Sequence, residues 1–251
     1  MNPLVIAIDS STTATKAIVV DTEGKVLALG RQDIDLLSPQ QGFGEHDPRQ
    51  WWTSTRDAVA QALAQLTPSE KERIAAFGIT HQRESFAPFA ADGTPLRNGI
   101  LWLDIRAADQ VQRYGAPEIH ALSGRPADVT PGLYKMAWLK ENEPESLAKA
   151  DKVTTVSAYI AFCLTGKWVD SAACADSLSL SNIKTLEYDD GLLQIAGVRR
   201  EQMADLVKPG QVLGTLEKSI AEEWGIAEIP IVAGCGDGQA AGVGAAAVTP
   251  D

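Results

Sequence analysis

Three short runs rich in β-branched residues, 4–9 (LVIAID), 17–21 (AIVVD) and 26–34, follow one another with only SSTTATK and Thr22-Glu23-Gly24-Lys25 between them. Connections this short suit hairpins, and parallel neighbours need a longer crossover, so the chain is expected to open with an antiparallel meander. Strand and helix patterns then alternate. A helix is expected from Asp47-Pro48, with Asp47 as its cap, Pro48 at the first helical position and Gln50 completing a capping box. Trp52, Val59, Leu63 and Leu66 recur at helical spacing and predict its buried face.

Residues 74–80, 86–89 and 100–103 read as strands, the last two separated by the turn Ala91-Asp92-Gly93, and 105–113 as a helix. From about 117 to 225 the pattern is mostly helical with Gly and Pro breaks and a short strand near 153–156. A buried strand over 229–233 then leads through Gly234-Cys235-Gly236-Asp237-Gly238-Gln239 into a small-residue helix over 239–247. This order fits an α/β layer fold with helices on a mixed sheet.

The 251 residues, 45% of them apolar, suffice for one large domain or two small ones with a real core. The net charge of −11 and the lack of any Lys/Arg run argue against nucleic-acid binding. Cys163, Cys174 and Cys235 fit neither a metal knuckle nor an even disulfide framework, so reduced thiols in the cytoplasm are expected. The first apolar run ends at Asp9 with no basic residue before it, and no apolar stretch is long enough to span a bilayer, so no membrane partner is expected. The last helical pattern runs to Ala247 and the chain stops at Asp251, as if cut at a domain boundary.

Three segments can carry chemistry. Asp9-Ser10-Ser11-Thr12-Thr13-Ala14-Thr15-Lys16 joins two strands and gathers a carboxylate, hydroxyls and an ammonium, a set that can face phosphate oxygens and a metal ion or its water. With no Walker pattern present, a polar β-turn is the simpler reading of its composition. The glycine-flanked Asp237 stands at a strand-to-helix turn, where a carboxylate can accept a proton from a nearby hydroxyl or serve as a plain N-cap. A Rossmann site is excluded there, since too few residues follow Gly242 for the second strand and its acid. In Thr80-His81-Gln82-Arg83-Glu84-Ser85, adjacent forked donors and paired acceptors suit vicinal hydroxyls, although a surface ion pair is the simpler alternative. His81 lacks a second ligand at metal-binding spacing.

In order, DSSTTATK, GEHDPRQWW, THQRES, ILWLDIRA, KMAWLKENEP, YIAFCLTG and GCGDGQAAG resemble the amino-terminal half of the FGGY carbohydrate kinases, which include glycerol kinase and xylulokinase. The resemblance implies a ribonuclease-H-like (actin/hexokinase/Hsp70-type ATPase) domain, with residues 1–251 forming the substrate-binding N-terminal domain and the nucleotide-binding C-terminal domain absent. It implies ATP-dependent phosphorylation of a sugar or polyol hydroxyl, with Mg²⁺, and an isolated fragment that is inactive. Asp237 would be the catalytic base, with Gln82, Arg83, Glu84, Trp102 and Asp237 around the acceptor. Asp9, Thr12, Thr13 and Lys16 would face the ATP phosphates, and Asp9 the metal.

The match has departures. Gly132 stands where the family usually has Ser, Thr or Pro; Thr130 and Gly238 replace a Tyr and a Gln of glycerol kinase; and Gln82-Arg83-Glu84 differs from the Met-His of xylulokinases. A sugar or polyol is implied, not a particular one, and a homodimer is left open. The rival readings are a non-catalytic sugar-binding or scaffold module of the same fold, and an actin-like ATPase.

Overall fold

The computed structural model describes residues 2–247. The expected meander is present as β1 (Leu4–Ser10), β2 (Ala14–Asp21) and β3 (Val26–Asp33), paired antiparallel throughout. The second strand begins at Ala14 rather than 17, because Ser10↔Thr15 and Asp9↔Lys16 extend the ladder and leave only 11–13 as the turn. The next turn matches the sequence reading: Gly24 adopts φ +83° and its N–H donates to Asp21 O at 3.1 Å.

After β4 (Glu45–His46), α1 (Arg49–Leu63) starts without the expected capping box. Pro48 is itself in the helical region and is the cap residue. Asp47 therefore lies one position too far out, where its carboxylate accepts the Arg49 N–H at 3.0 Å. Gln50 instead exchanges two hydrogen bonds of 2.8 Å with Asp35. The buried face contains Val59 and Leu63 as expected, but the fully buried ring is Trp51, whose indole N–H donates to His46 Nδ1 at 3.0 Å, while Trp52 is half-buried.

The remaining elements are α2 (Pro68–Lys71), β5 (Ile74–His81), β6 (Phe86–Phe89), β7 (Gly99–Ile100), α3 (Ala108–Tyr114), α4 (Pro117–Ser123), α5 (Gly132–Asn142), α6 (Pro144–Ala148), β8 (Lys152–Thr155), α7 (Val156–Thr165), β9 (Val169–Ser171), α8 (Ala172–Ala175), β10 (Ser181–Asn182), β11 (Glu187–Tyr188), α9 (Asp190–Ala196), β12 (Asp205–Val207), β13 (Val212–Thr215), α10 (Lys218–Trp224), β14 (Pro230–Val232) and α11 (Asp237–Gly244). The stretch read as mostly helical thus also contains β9 to β13. These strands are short and offer too few alternating positions to register as a pattern. The last helix begins at Asp237, two residues earlier than its composition suggested.

Six strands form the main sheet in the order β13-β14-β5-β1-β2-β3. Pairs β1–β5 and β5–β14 are parallel and the others antiparallel, so the sheet is mixed as expected. Leu4, Ile6, Ile8, Phe77 and Ile231 from this sheet pack with Trp51, Ala58 and Val59 of α1 and Ile160 and Leu164 of α7 into one core. A second core joins Leu133, Met136 and Leu139 of α5 to Leu192 and Leu193 of α9 and to Phe86, Ile100 and Val153 of the four-stranded sheet β4-β7-β6-β8. Adjacent parallel strands end on the same side, so the C-terminal ends of β1, β5 and β14 open side by side. In an α/β sheet that is where ligands bind.

Candidate active site

Each of these three strand ends carries one of the segments singled out from the sequence. At the end of β1, Asp9 accepts the Ser11 hydroxyl on Oδ2 at 2.7 Å, whereas its Oδ1 is buried and has no protein partner. Thr12 and the exposed Thr13 form the turn, and the exposed Lys16 lies opposite Asp9 on β2. The simple polar-turn reading leaves the orphaned carboxylate oxygen unexplained. An oxygen-only set with one carboxylate fits Mg²⁺, which takes one or two carboxylates and completes its shell with water and phosphate oxygens.

At the end of β5 the strand stops at His81 and the chain turns at Arg83 and Glu84. They do not pair with each other as a surface ion pair would. Arg83 Nη2 binds both oxygens of Asp176, at 2.7 and 2.8 Å, while Glu84 Oε1 accepts from Arg125. Glu84 has φ +59°, a left-handed conformation that costs a non-glycine residue energy and that clusters at functional sites. Its N–H donates to the Ser177 hydroxyl at 3.1 Å, which helps hold that conformation. Burial pushes the Glu84 carboxyl above the ordinary carboxylate range, Arg125 and Arg83 oppose this, and the nearby Asp237 carboxylate adds to the rise.

Gln82 is buried, unlike the acceptor-facing residue the resemblance implied. Its amide donates to Ser11 O at 3.1 Å and its Oε1 accepts the Ser85 hydroxyl at 3.1 Å, so it braces the β1 turn against the β5 turn. Trp102 is 41% exposed and donates its indole N–H to Thr12 Oγ1 at 2.9 Å, tying its loop to the turn after β1. Behind it, the fully buried Lys135 donates to the carbonyls of Leu101, Trp102 and Thr130 at 2.7, 3.1 and 2.7 Å. Burial pulls its ammonium down to about 7.

At the end of β14, Gly236 is the cap residue and Asp237 the first helical residue, so the plain N-cap reading of Asp237 is incorrect. Asp237 is exposed, and its Oδ1 accepts the Gly238 N–H at 2.7 Å. Two hydroxyls pin the preceding carbonyls: Ser171 donates to Gly234 O and Thr80 to Cys235 O, each at 2.7 Å. The glycines allow close approach. A Cβ on Gly234 would sit 2.0 Å from Ile79 O, and one on Gly236 would sit 2.4 Å from the Arg83 side chain, so the Asp237 turn packs directly on Arg83.

Sequence reasoning missed Arg125, Ser171, Asp176 and Ser177, and gave Thr80 no role of its own. Each acts through a partner distant in sequence. A cavity of about 540 Å³ beside Arg97 and Glu143 has none of these residues in its lining and lies apart from the site.

Residues 4–244 match the FGGY family of carbohydrate kinases, N-terminal domain. This chain belongs to that family. It is 33% identical over 256 residues to the glycerol kinase of Thermococcus onnurineus (strain NA1), covering 98% of this chain and 50% of that protein. The xylulose kinase of Escherichia coli (strain K12) is 30% identical over 244 residues, covering 95% and 49%. The ligand-bound xylulose kinase structure from Lactobacillus acidophilus superimposes with a TM-score of 0.91 at 29% identity, covering 98% and 50%. The chain therefore spans about half the length of the curated relatives it matches, and its fold is the actin/hexokinase-type, ribonuclease-H-like domain of the family's sugar kinases. Among the described residues no helix is long and apolar enough to cross a membrane.

Proposed function

We propose that the whole protein transfers the γ-phosphoryl group of ATP to a hydroxyl of a sugar or polyol, this chain being the half that binds the acceptor and carries the base. The observation that carries the reading is the meeting of three parallel strand ends, which sets the segments of Asp9, the Arg83–Glu84 pair and an exposed Asp237 side by side. Phosphoryl transfer asks little covalent work of a protein, so positioning and charge do most of it.

In this reading Arg83 and Glu84 orient the acceptor by its hydroxyls, and Trp102 supplies an apolar wall. Asp237 accepts the hydroxyl proton as that oxygen bonds to the γ-phosphorus and ADP leaves. Thr12, Thr13 and Lys16 face the phosphates. Asp9 would hold Mg²⁺, directly or through water, and the ion supplies neutralisation of phosphate charge. The three unpaired cysteines agree with a reducing cytoplasm.

A sugar-binding scaffold would have no use for an exposed acid beside a left-handed Glu84. An actin-like ATPase would not need the acceptor pair. The test is ADP release by the whole protein with Mg-ATP and a panel of polyols and ketoses. Acceptor-dependent release is expected, whereas release unaffected by every acceptor, or none at all, would reject the reading. The isolated 251-residue chain should show no turnover, because nucleotide holding and water exclusion need a covering domain.

A further inference from the structure

The chain leaves the six-stranded sheet before it reaches Asp237. Strand β14 pairs with β5 only as far as Val232↔Gly78, so the carbonyls of Gly234 and Cys235 lie beyond the ladder and take their donors from the Ser171 and Thr80 hydroxyls. Thr80 is itself a residue of β5. Ser171 ends the short strand β9, and it is held by a buried carboxylate to which no role has yet been given. Asp170 Oδ2 accepts the Thr155 hydroxyl at 2.6 Å, and its Oδ1 accepts the Ser157 hydroxyl and, at 2.8 Å, the Ser171 N–H. A buried carboxylate is stable only with donors around it, and here they join the start of α7 to the end of β9.

Ser171 is thereby fixed through its own N–H, and its hydroxyl has one orientation left. It accepts the Ala173 N–H at 3.3 Å as the cap of α8 and donates its single proton to Gly234 O. The same segment reaches the other side of the site. Helix α8 runs directly into a 3₁₀ turn over Asp176–Leu178. Ser177 donates to Cys174 O at 2.8 Å while accepting the Glu84 N–H, and Asp176 holds Arg83 with both oxygens. The far end is seated on α5, where a Cβ on Gly132 would lie 2.7 Å from the Leu178 side chain. One short helical segment thus holds the Asp237 turn at its cap and the Arg83–Glu84 turn at its last residues.

We propose that residues 170–177 form one brace that sets Asp237 against the Arg83–Glu84 pair, with Asp170 anchoring it and Ser171 as the positioning residue of the base. The inference rests on the reading of Asp237 as the base and of Arg83–Glu84 as acceptor ligands, and adds the element that holds one in register with the other. Ser171 touches no reacting atom, so its effect passes through Asp237.

Steady-state kinetics of the whole protein test it in two backgrounds, with the folded fraction of each variant measured by circular dichroism. With Asp237 present, Ser171→Ala removes one hydrogen bond and should lower kcat roughly two- to tenfold at constant acceptor KM. With Asp237→Asn in place, the same change should leave the residual rate unaltered, since no base remains to be misplaced. Asp170→Asn keeps the size and weakens the anchor. It should lower kcat and raise acceptor KM together, each roughly two- to tenfold, because Asp176 and Ser177 move with the segment. Should that variant fail to fold, Ser157→Ala removes one of the three donors and should move both parameters in the same directions by less. Equal proportional losses from Ser171→Ala in both backgrounds would make the hydroxyl merely structural and overturn the proposal. A wild-type kcat in Ser171→Ala, or a change confined to one parameter in the anchor variant, would overturn it too. The two readings fail separately. Full activity of Asp237→Asn would reject the base, whereas a slow Asp237→Asn with an unchanged proportional loss at Ser171 would reject only the brace.

Discussion

Asp9 and Asp237 sit on turns whose backbone is fixed by the six-stranded sheet, whereas Arg83 and Glu84 are fixed by charged side chains that arrive from 93 and 41 residues away in sequence. In the first region the ladder, two close-packed glycines and the hydroxyls of Thr80 and Ser171 determine where an acid lies. In the second, the backbone supplies a left-handed turn and the partners Asp176 and Arg125 aim the functional groups. The difference teaches that the proposed phosphoryl-transfer geometry is a property of the sheet, while the proposed acceptor contacts would depend on a few side-chain pairs. Those pairs can change without moving a strand.

The contrast is broken most directly at Asp237. In the whole protein, Asp237→Asn should keep the shape and lower kcat by roughly 10²–10⁴, with little change in acceptor KM. Steady-state kinetics check this, and a variant retaining more than about half the rate would make Asp237 a structural residue of the turn.

On the other side of the proposed site, Glu84→Gln should weaken acceptor binding by about 1.5–3 kcal/mol, roughly 10- to 150-fold, and leave ATP affinity nearly unchanged. Separate titrations of acceptor and ATP decide it. Equal acceptor affinities would remove the pair from the site and erase the distinction between the two regions.

His81, at the end of β5, sharpens the comparison through pH. Burial pulls its ring down to about 4, so the fold favours neutral His81. That contribution is complete above the ordinary pKa of about 6.5 and is lost as pH falls from there toward 4. The His81 contribution alone should fall by on the order of 2 kcal/mol between pH 7.5 and 5, and buried His46, also pulled down to about 4, acts in the same sense. Asp170, pushed by burial up to about 6, acts in the opposite sense, since its protonation stabilises the fold as pH falls through that value. Urea midpoints at the two pH values, compared between wild type and His81→Gln, isolate the histidine. An unchanged pH dependence in the variant would show that the strand end tolerates the charge.

The smallest expected effect is at Thr80. Thr80→Val removes one hydrogen bond to Cys235 O and should cost about 0.5–1.5 kcal/mol, read as up to roughly a tenfold fall in kcat at constant KM. Thr80→Ser should restore the rate, and a change in KM alone would mean that the hydroxyl does not position Asp237.

Much of the molecule was legible from the chain alone. The three opening runs are joined by turns too short for anything but hairpins, so the meander follows from local chemistry, and residues 86–89 were placed correctly by composition and punctuation. The seven ordered segments identified the family. What failed was local in a different way: the Asp47 capping box looked complete in sequence, yet Pro48 entered the helical region itself and Gln50 found Asp35. The strands between 169 and 215 are too short to leave a periodic trace, because each is held by pairing to a neighbour rather than by its own pattern.

By itself, the sequence determined which residue types could do the chemistry and that Asp9, Arg83–Glu84 and Asp237 each stand where a strand ends. Only the tertiary structure decided that β1, β5 and β14 lie adjacent and parallel, so that those three ends lie side by side. It also decided that Gln82 braces the turns from inside, and that Asp176 and Arg125 orient the pair. The physical reason is range. Strand ends and turns are set by a few neighbouring residues, whereas a hydrogen-bond or ion-pair partner is set by which distant backbone the packed core brings within about 3 Å.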